Sequence, residues 1–550
     1  MNSAPEIDGE RWLQCFRWNN ANAMAQSSSP QTFSLPAPIS QWPRGFASGL
    51  VNLGEIEVCK VTRFEFISSS SAMLDTKKAV TFYRPVGVPE SFHILGHYCQ
   101  PSGKPLHGFV LVAREVETCF SENADICNQD NQNAGSMEMS SVYFWLPEPP
   151  ENYNALGYLV TKKPDKPLLD EMCRVRADLT DKCEPYHLIL TAGSRILEFS
   201  FQVWSLRPCD RGMLGKGVSV GTFFCCSGWT MGEDIPVACL KNLNHELPAA
   251  MPNLQQIHAL IKHYGPSIFF HPQEKYLASS VDWFFNNGAM LCKKGMSKGE
   301  GIDASGSNLP SGATNNGQYW IDLPSDHDRK NFVKRGDLKS ARLYVHVKPA
   351  LGGTFTDIAM WVFCPFNGPA TLKIGIKNIP LSKVGEHVGD WEHFTIRICN
   401  FSGELYSIYF SQHSGGEWVD AYDLDYIEGN KAIVYSSKCG HASYPHPWTY
   451  MQGSSKLGIG IRNDTARSNL YVDSSIHYEL VAAEYLENDS RAPKLFYDAK
   501  TELDKVINAL PRMLRYSVKS LFNKFPVELY GEEGPTGPKE KNNWIQDERW

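Results

Sequence analysis

The nonapeptide Gly385-Glu386-His387-Val388-Gly389-Asp390-Trp391-Glu392-His393 sets two imidazoles and three carboxylates around one indole. In an extended chain successive side chains alternate faces, so Asp390 and Glu392 point the same way. His387 stands three residues upstream, on the turn that enters the strand. An H-x-x-D-x-E constellation mixes imidazole with carboxylate, a donor set for a hard or borderline divalent cation that keeps part of its water. The same cluster also fits an exposed strand start paired with Arg or Lys neighbours, because ion-pair networks gather charge too.

Several elements must hold these groups in place. Phe394-Thr395-Ile396-Arg397-Ile398 alternates apolar with polar residues, the period of a half-buried strand. Further strands are expected at Ala341–Val347, Asp357–Pro365, Leu405–Phe410 and Ala432–Tyr435. His413 and His441 follow strands in turns of small residues, where a β scaffold presents functional groups, and both are candidates to line the site of His387. Trp391, His393 and Trp418 are candidate walls of the same site.

The bulk composition narrows the function classes. A chain of 550 residues, 42% of them hydrophobic, has material for a large core and for two to four domains. Its net charge of -7, with no Lys/Arg-rich block, argues against nucleic acid as a partner. The 15 cysteines form no C-x-x-C pairs or Cys/His quartets and require no oxidising compartment. The first thirty residues lack the basic and apolar regions of a cleaved signal peptide, and no apolar run is long enough to span a bilayer. A cytoplasmic location is expected, with a membrane surface open as a docking partner.

The N-terminal half repeats itself. Phe82-Tyr83-Arg84-Pro85 leads into Pro89-x-x-Phe92-x-x-Leu95-Gly96, and Tyr143-Phe144-Trp145-Leu146-Pro147 leads into Pro150-x-x-Tyr153-x-x-Leu156-Gly157. A weaker copy runs from Trp42 to Gly54, and a degenerate one from Trp204-Ser205-Leu206-Arg207-Pro208 to Leu214-Gly215. Such self-similarity predicts stacked or pseudo-symmetric β units. Ser121 to Ser140 reads as an exposed loop, and Lys293 to Asn316 as an insertion.

Leu254, Ile257, Leu260, Ile261 and Tyr264 recur at helical spacing after Pro252-Asn253, with a stop at Gly265-Pro266. A second near-helical pattern, broken at Pro511, runs from Thr501 to Lys524. Its Arg512, Arg515, Lys519 and Lys524 give either an anionic-membrane face or a solvated cationic one. The chain therefore divides into a leading segment 1–30, a repeated β module 31–245, a β-sandwich 246–500, a helical segment 501–530 and a polar tail 531–550. The expected class is mainly β, with a jelly-roll-like C-terminal sandwich and a helical C-terminal appendage.

Phe33-Ser34-Leu35-Pro36-Ala37-Pro38, the Phe-Tyr-Arg-Pro repeat, Tyr276-Leu277-Ala278-Ser279-Ser280-Val281, His387 to His393 and Gly534-Pro535-Thr536-Gly537-Pro538-Lys539 together resemble the plant vacuolar protein sorting-associated protein 62 family. That resemblance implies membrane trafficking by association. The N-terminal repeats are similar to repeats of the vacuolar protein sorting 13 lipid-transfer proteins, which serve as adaptor surfaces. The H-x-x-D-W-E element is similar to the G-H-R-H-D-W-E heptapeptide of the necrosis- and ethylene-inducing cytolysins, β-sandwiches that hold a divalent cation and bind sphingolipid head groups. The resemblance implies cation ligands at His387, Asp390 and Glu392, with Asn367 where the cytolysins carry an Asp and Gly389 where they carry a second His.

Three functions follow as expectations. One is a peripheral membrane protein, with Ca²⁺ or Mg²⁺ at His387, Asp390, Glu392 and Asn367 clamping a lipid head group or glycan. Another is a metal-dependent hydrolase, with His393, His413 or His441 moving protons and Arg397 or Arg462 steadying an anionic transition state. No H-E-x-x-H, G-x-S-x-G or phosphate-cradling loop supports that second one. The third is a metal-free scaffold for protein partners.

Overall fold

The computed structural model describes residue 39, most of residues 46–486, and residues 537–548. Its breaks fall at 70–78, 117–126, 129–133, 140–141, 166, 168–171, 195–198, 228–231, 245–249, 311–317, 383, 414 and 455–457. The helical pattern at 501–524 therefore lies outside the described residues. The described chain is mainly β, in antiparallel sheets.

The repeats of the N-terminal half are real local copies. Phe92 N donates to Pro89 O at 3.2 Å and Tyr153 N to Pro150 O at 3.1 Å, so both copies make the same turn. Ser91 and Asn152 take the left-handed conformation at matching places, with φ 67 and 68. The Leu-Gly steps then converge. A Cβ on Gly96 would meet Thr222 Cγ2 at 2.7 Å and Gly157 Cα at 3.0 Å, and one on Gly157 would meet Thr222 Cβ at 2.8 Å. Glycine is needed because two backbones and a threonine meet at one point.

That contact corrects the fourth copy. Leu214, expected to match Leu95 and Leu156, is 80% exposed, whereas Leu95, Leu156 and Val220 are buried. The equivalent step is Val220-Gly221-Thr222, six residues later. The segment expected as a loop at 121–140 contributes a strand, Ala134–Met139, paired with Val142–Pro147. Cys173 takes part in a disulfide, which the scattered cysteine spacing did not announce.

In the C-terminal half a six-stranded sheet runs in the order Gly415–Asp420, Leu405–Gln412, His387–Cys399, Phe355–Asn367, Leu343–Ala350, Tyr478–Ala482. Only the last pair is parallel. Phe394, Ile396 and Ile398 pack with Ile358, Met360 and Val362 on one face. Ile268, Phe270, Ala432, Val434 and Val472 of a second sheet join the same core, which makes a two-sheet sandwich. Helix Leu254–Tyr264 seals it with Ile257, Leu260, Ile261 and Tyr264. Its start is fixed by a reciprocal cap between Asn253 and Gln256, and Gly265 ends it.

The other face of the large sheet carries Lys348, Asp357, Trp361, His393, Thr395 and Arg397, and residues 537–548 lie against it. Glu548 accepts from Thr395 Oγ1 at 2.6 Å and pairs with His393 Nε2 at 3.0 Å. Trp544 stacks on His346 with ring centroids 3.9 Å apart. Asp547 bridges Arg397 at 3.2 Å and Arg211 of the N-terminal half at 3.0 Å. The segment expected as a polar tail is polar, and it packs because its charges find buried partners on this sheet face.

Candidate functional site

The His387–Cys399 strand runs antiparallel to Phe355–Asn367, and this register places the candidate ligands. His387 lies opposite Asn367, Asp390 opposite Cys364 and Glu392 opposite Val362. His387 is thus the first paired residue of the strand rather than part of a turn before it. Asn367 commits its amide nitrogen to the carbonyls of Gly368, at 3.1 Å, and Gly385, at 2.5 Å.

Asp390 is buried and accepts a hydrogen bond from His441 Nδ1 at 2.8 Å. His441 Nε2 donates to Tyr276 O at 2.7 Å and stands 3.9 Å from Glu274 Oε2. With acceptors at both nitrogens the ring is held as an imidazolium. Burial opposes that charge, but Cys364, Asp390 and Glu274 outweigh burial and raise the His441 pKa well above its usual value. Burial likewise opposes ionisation of Asp390, yet the His441 hydrogen bond and the charges of His441 and Lys541 hold its carboxyl below the usual range.

Glu392 behaves oppositely. Burial and the charge of Asp390 push its carboxyl up to about 8, against the pull of Lys541 and His441. His387 is driven down to about 4, chiefly by burial, so its ring is neutral at pH 7. Its Nδ1 has no hydrogen-bond partner. Both His387 and Glu392 keep some solvent exposure, so the cluster opens to water on that side.

His413 joins the cluster from the next hairpin, with Nε2 3.1 Å from Asn463 Oδ1. His413, Cys439 and His441 all adopt positive φ, at 47, 69 and 52. Three non-glycine residues in this conformation within two neighbouring turns mark stored strain, which collects at functional sites. Glu274 ties the turn of Cys439 and His441 to the Tyr276 segment, accepting from Tyr276 N at 2.9 Å and Cys439 N at 2.6 Å.

His387, Asn367, Asp390, Glu392, His413 and His441 thus come together, and Trp391 and His393 do not. As odd members of the strand, the latter two face the other side. Trp391 packs with Tyr344 and Phe363, and His393 stacks on Trp361 at 4.3 Å. Trp418 stands on that reverse face too, beneath Arg397 at 3.9 Å. Arg397 is tied to Asp357 at 2.8 Å, and Arg462 to Asp464 at 2.7 Å.

Glu274, Tyr276, Asn463 and Lys541 belong to the site and were not foreseen from sequence. They reach it through long-range packing, which local spacing does not encode. Among the described residues no group of three or more His, Cys, Asp or Glu is placed so that it could hold a metal ion as it stands. His387 Nε2, for example, is 3.9 Å from Asp390 Oδ1. The donor types are those of a hard cation that keeps water: one neutral imidazole with a partnerless nitrogen beside two carboxyl groups.

A family model described as vacuolar protein sorting-associated protein 62 matches residues 29–548. No curated protein matches. Similar solved structures include GNIP1Aa from Chromobacterium piscinae, 13% identical over 38% of this chain and 40% of that one, with a TM-score of 0.27. NLPPya in complex with glucosamine is 14% identical over 41% of this chain and 73% of its own, at a TM-score of 0.21. The non-toxic HaNLP3 protein is 14% identical over 43% and 79%, at 0.22. This chain therefore spans less than half the length of the first, and at these TM-scores none of the three bears on function.

Proposed function

The chain belongs to the vacuolar protein sorting-associated protein 62 family, and we propose that it is a peripheral membrane protein that binds a lipid head group or glycan without turning it over. A divalent cation, Ca²⁺ or Mg²⁺, is held by His387, Asp390 and Glu392, with Asn367 beside them. The observation that carries this is the Asp390–Glu392 pair. Two carboxyl groups share one strand face, and burial together with the charge of Asp390 pushes the second up to about 8.

When bound, the cation supplies open positions for phosphate or polyol oxygens. The chain's own residues do the rest. His441 keeps Asp390 ionised and aimed, Glu274 fixes the turn that carries His441, and His387 offers a neutral nitrogen at the solvent-facing edge. Membrane association does not depend on a spanning helix; among the described residues none is long and apolar enough to cross a bilayer.

Catalysis is the weaker reading, because Arg397 and Arg462 are both paired elsewhere and His393 faces away. A metal-free scaffold has one observation in its favour, the hydrogen bond that already satisfies one Asp390 oxygen. Co-sedimentation with vesicles of phosphatidylserine or of glycosylated sphingolipid, with Ca²⁺ or with chelator, separates these readings. Binding that needs Ca²⁺ and fails in Asp390→Asn/Glu392→Gln supports the proposal. Cation-independent binding, or none, favours the scaffold.

A further inference from the structure

The strand that ends at Asn367 and the strand that begins at His387 are joined through a β-hairpin, Thr371–Ile374 paired with Lys377–Pro380. Its base is tied where the two long strands part: Ala370 N donates to Val384 O and Leu381 N to Ala370 O, both at 2.9 Å. At the tip Ile374 pairs with Lys377, which leaves Gly375-Ile376 as a two-residue turn. Gly375 takes φ 56, the positive value that a tight hairpin turn demands of its first residue. Gly375 N also donates to Gly458 O at 2.8 Å, so the turn of the adjoining hairpin steadies this one. Backbone contacts hold the tip in place.

Ile376 takes no part in that hold. It is 96% exposed, the highest value among the large hydrophobic side chains of the described residues. The second place of such a turn is ordinarily polar. Behind it an apolar column runs down one face: Ile374, then Leu372 paired with Ile379, with Ile459 and Ile461 on the next strand. Lys373 and Lys377 flank the tip on opposite faces, and no carboxylate of the described residues pairs with either. A protein partner would need a broad complementary surface, whereas one projecting side chain offers a point. A bilayer accepts a point: the apolar group enters the acyl boundary while lysines stay with anionic phosphates.

We propose that the Gly375-Ile376 turn is a membrane-docking point, where Ile376 enters an anionic bilayer and Lys373 and Lys377 meet lipid phosphates. This rests on the reading of the chain as a peripheral membrane protein. One apolar side chain with two lysines binds only marginally alone, so the hairpin is a second signal beside head-group recognition. Because it springs from the edge where Asn367 and His387 pair, docking there turns that edge toward the head groups.

The test is co-sedimentation of the full chain, in Ca²⁺ buffer, with vesicles of phosphatidylcholine alone or mixed with phosphatidylserine. Ile376→Ser is expected to melt like wild type, since Ile376 packs on nothing, and to bind the mixed vesicles about tenfold more weakly. Lys373→Gln/Lys377→Gln loses about fivefold per lysine at low salt. Ile376→Trp binds at least as tightly as wild type, because indole settles at the interface. Ile476→Ser removes an isoleucine that is 67% exposed but has no flanking lysine, and it binds as wild type does.

Ile376→Ser that binds like wild type, or equal binding to both vesicle types, overturns the docking point and leaves the membrane reading standing. So does wild type that binds vesicles of glycosylated sphingolipid but none with phosphatidylserine. Wild type that binds none of these vesicles overturns both. A wild-type dimer in light scattering that Ile376→Ser dissolves gives the tip to a second copy of the chain and overturns the proposal. Should Ile376→Ser fail to fold, the lysine pair decides: phosphatidylserine binding that ignores its loss overturns the docking point.

Discussion

Asp390 and His441, 51 residues apart in sequence, meet through a 2.8 Å hydrogen bond that converts a buried carboxylate and a buried imidazole into an ion pair. The pair is anchored beyond itself, since His441 also donates to Tyr276 O at 2.7 Å. Removing one partner of a buried pair strands the other, which costs about 3–5 kcal/mol. His441→Ala is therefore expected to lose stability on that scale in urea denaturation. Asp390→Asn/His441→Ala should lose less than the sum of its two singles, and an additive double mutant would mean that the contact is energetically idle.

Glu392 should behave as a frustrated group. With its carboxyl pushed up to about 8, Glu392 must take up a proton to fold at pH 7, and Glu392→Gln removes that cost, so the cation-free variant is expected to be about 1–2 kcal/mol more stable than the cation-free wild type at pH 7. The same variant should gain nothing from added Ca²⁺. Thermal melts with and without chelator measure both, and a destabilised Glu392→Gln would show that Glu392 already has its partner.

The docked C-terminal segment gives the fold a defined acid sensitivity. Burial opposes ionisation of Glu548, but His393, Lys348 and Thr395 win and hold its carboxyl down to about 2, below its ordinary 4.5. A depressed carboxyl stabilises the folded state above the unfolded value, and that contribution drains away as pH falls from about 4.5 toward 2. Glu548→Gln should be less stable than wild type by about 3 kcal/mol at pH 7, with the difference shrinking through that window. Unfolding curves between pH 7 and 2.5 check this, and a pH-independent difference would contradict it.

The meeting of Gly96, Gly157 and Thr222 is the joint of the N-terminal repeats. Gly157→Ala would place a methyl 2.8 Å from Thr222 Cβ, closer than packed atoms allow. Overpacking of this kind costs about 1–3 kcal/mol. Denaturant midpoints measure it, and a loss under 0.5 kcal/mol would show that the joint yields.

What was legible in the sequence was local and periodic. Phe394, Ile396 and Ile398 announced a strand by alternation, though not its full burial, since Thr395 and Arg397 on the other face are covered by residues 537–548, and Asn253 with Gln256 and Gly265 bounded a helix by capping chemistry. The same alternation that put Asp390 and Glu392 on one face also sends Trp391 and His393 to the other, although all four read as one cluster along the chain. The fourth repeat was mistaken because Leu214-Gly215 copies the letters of the motif, while the buried step is Val220-Gly221-Thr222. Glu274 and Lys541 had no local signal: one is 165 residues from the Cys439 amide it holds, the other 150 from the carbonyl of Trp391. Contacts at that range are made by tertiary packing, and no spacing rule reaches them.

The central claim is that His387, Asp390 and Glu392 hold a divalent cation. Metal content by mass spectrometry, after dialysis against trace Ca²⁺, Mg²⁺, Mn²⁺ and Zn²⁺, tests it most directly on wild type beside His387→Ala/Asp390→Ala. About one equivalent of Ca²⁺ or Mg²⁺ per wild-type chain, lost in the double variant while its circular dichroism spectrum stays native, is the predicted result. Wild-type protein that carries no metal, or a double variant that keeps it, would contradict the account.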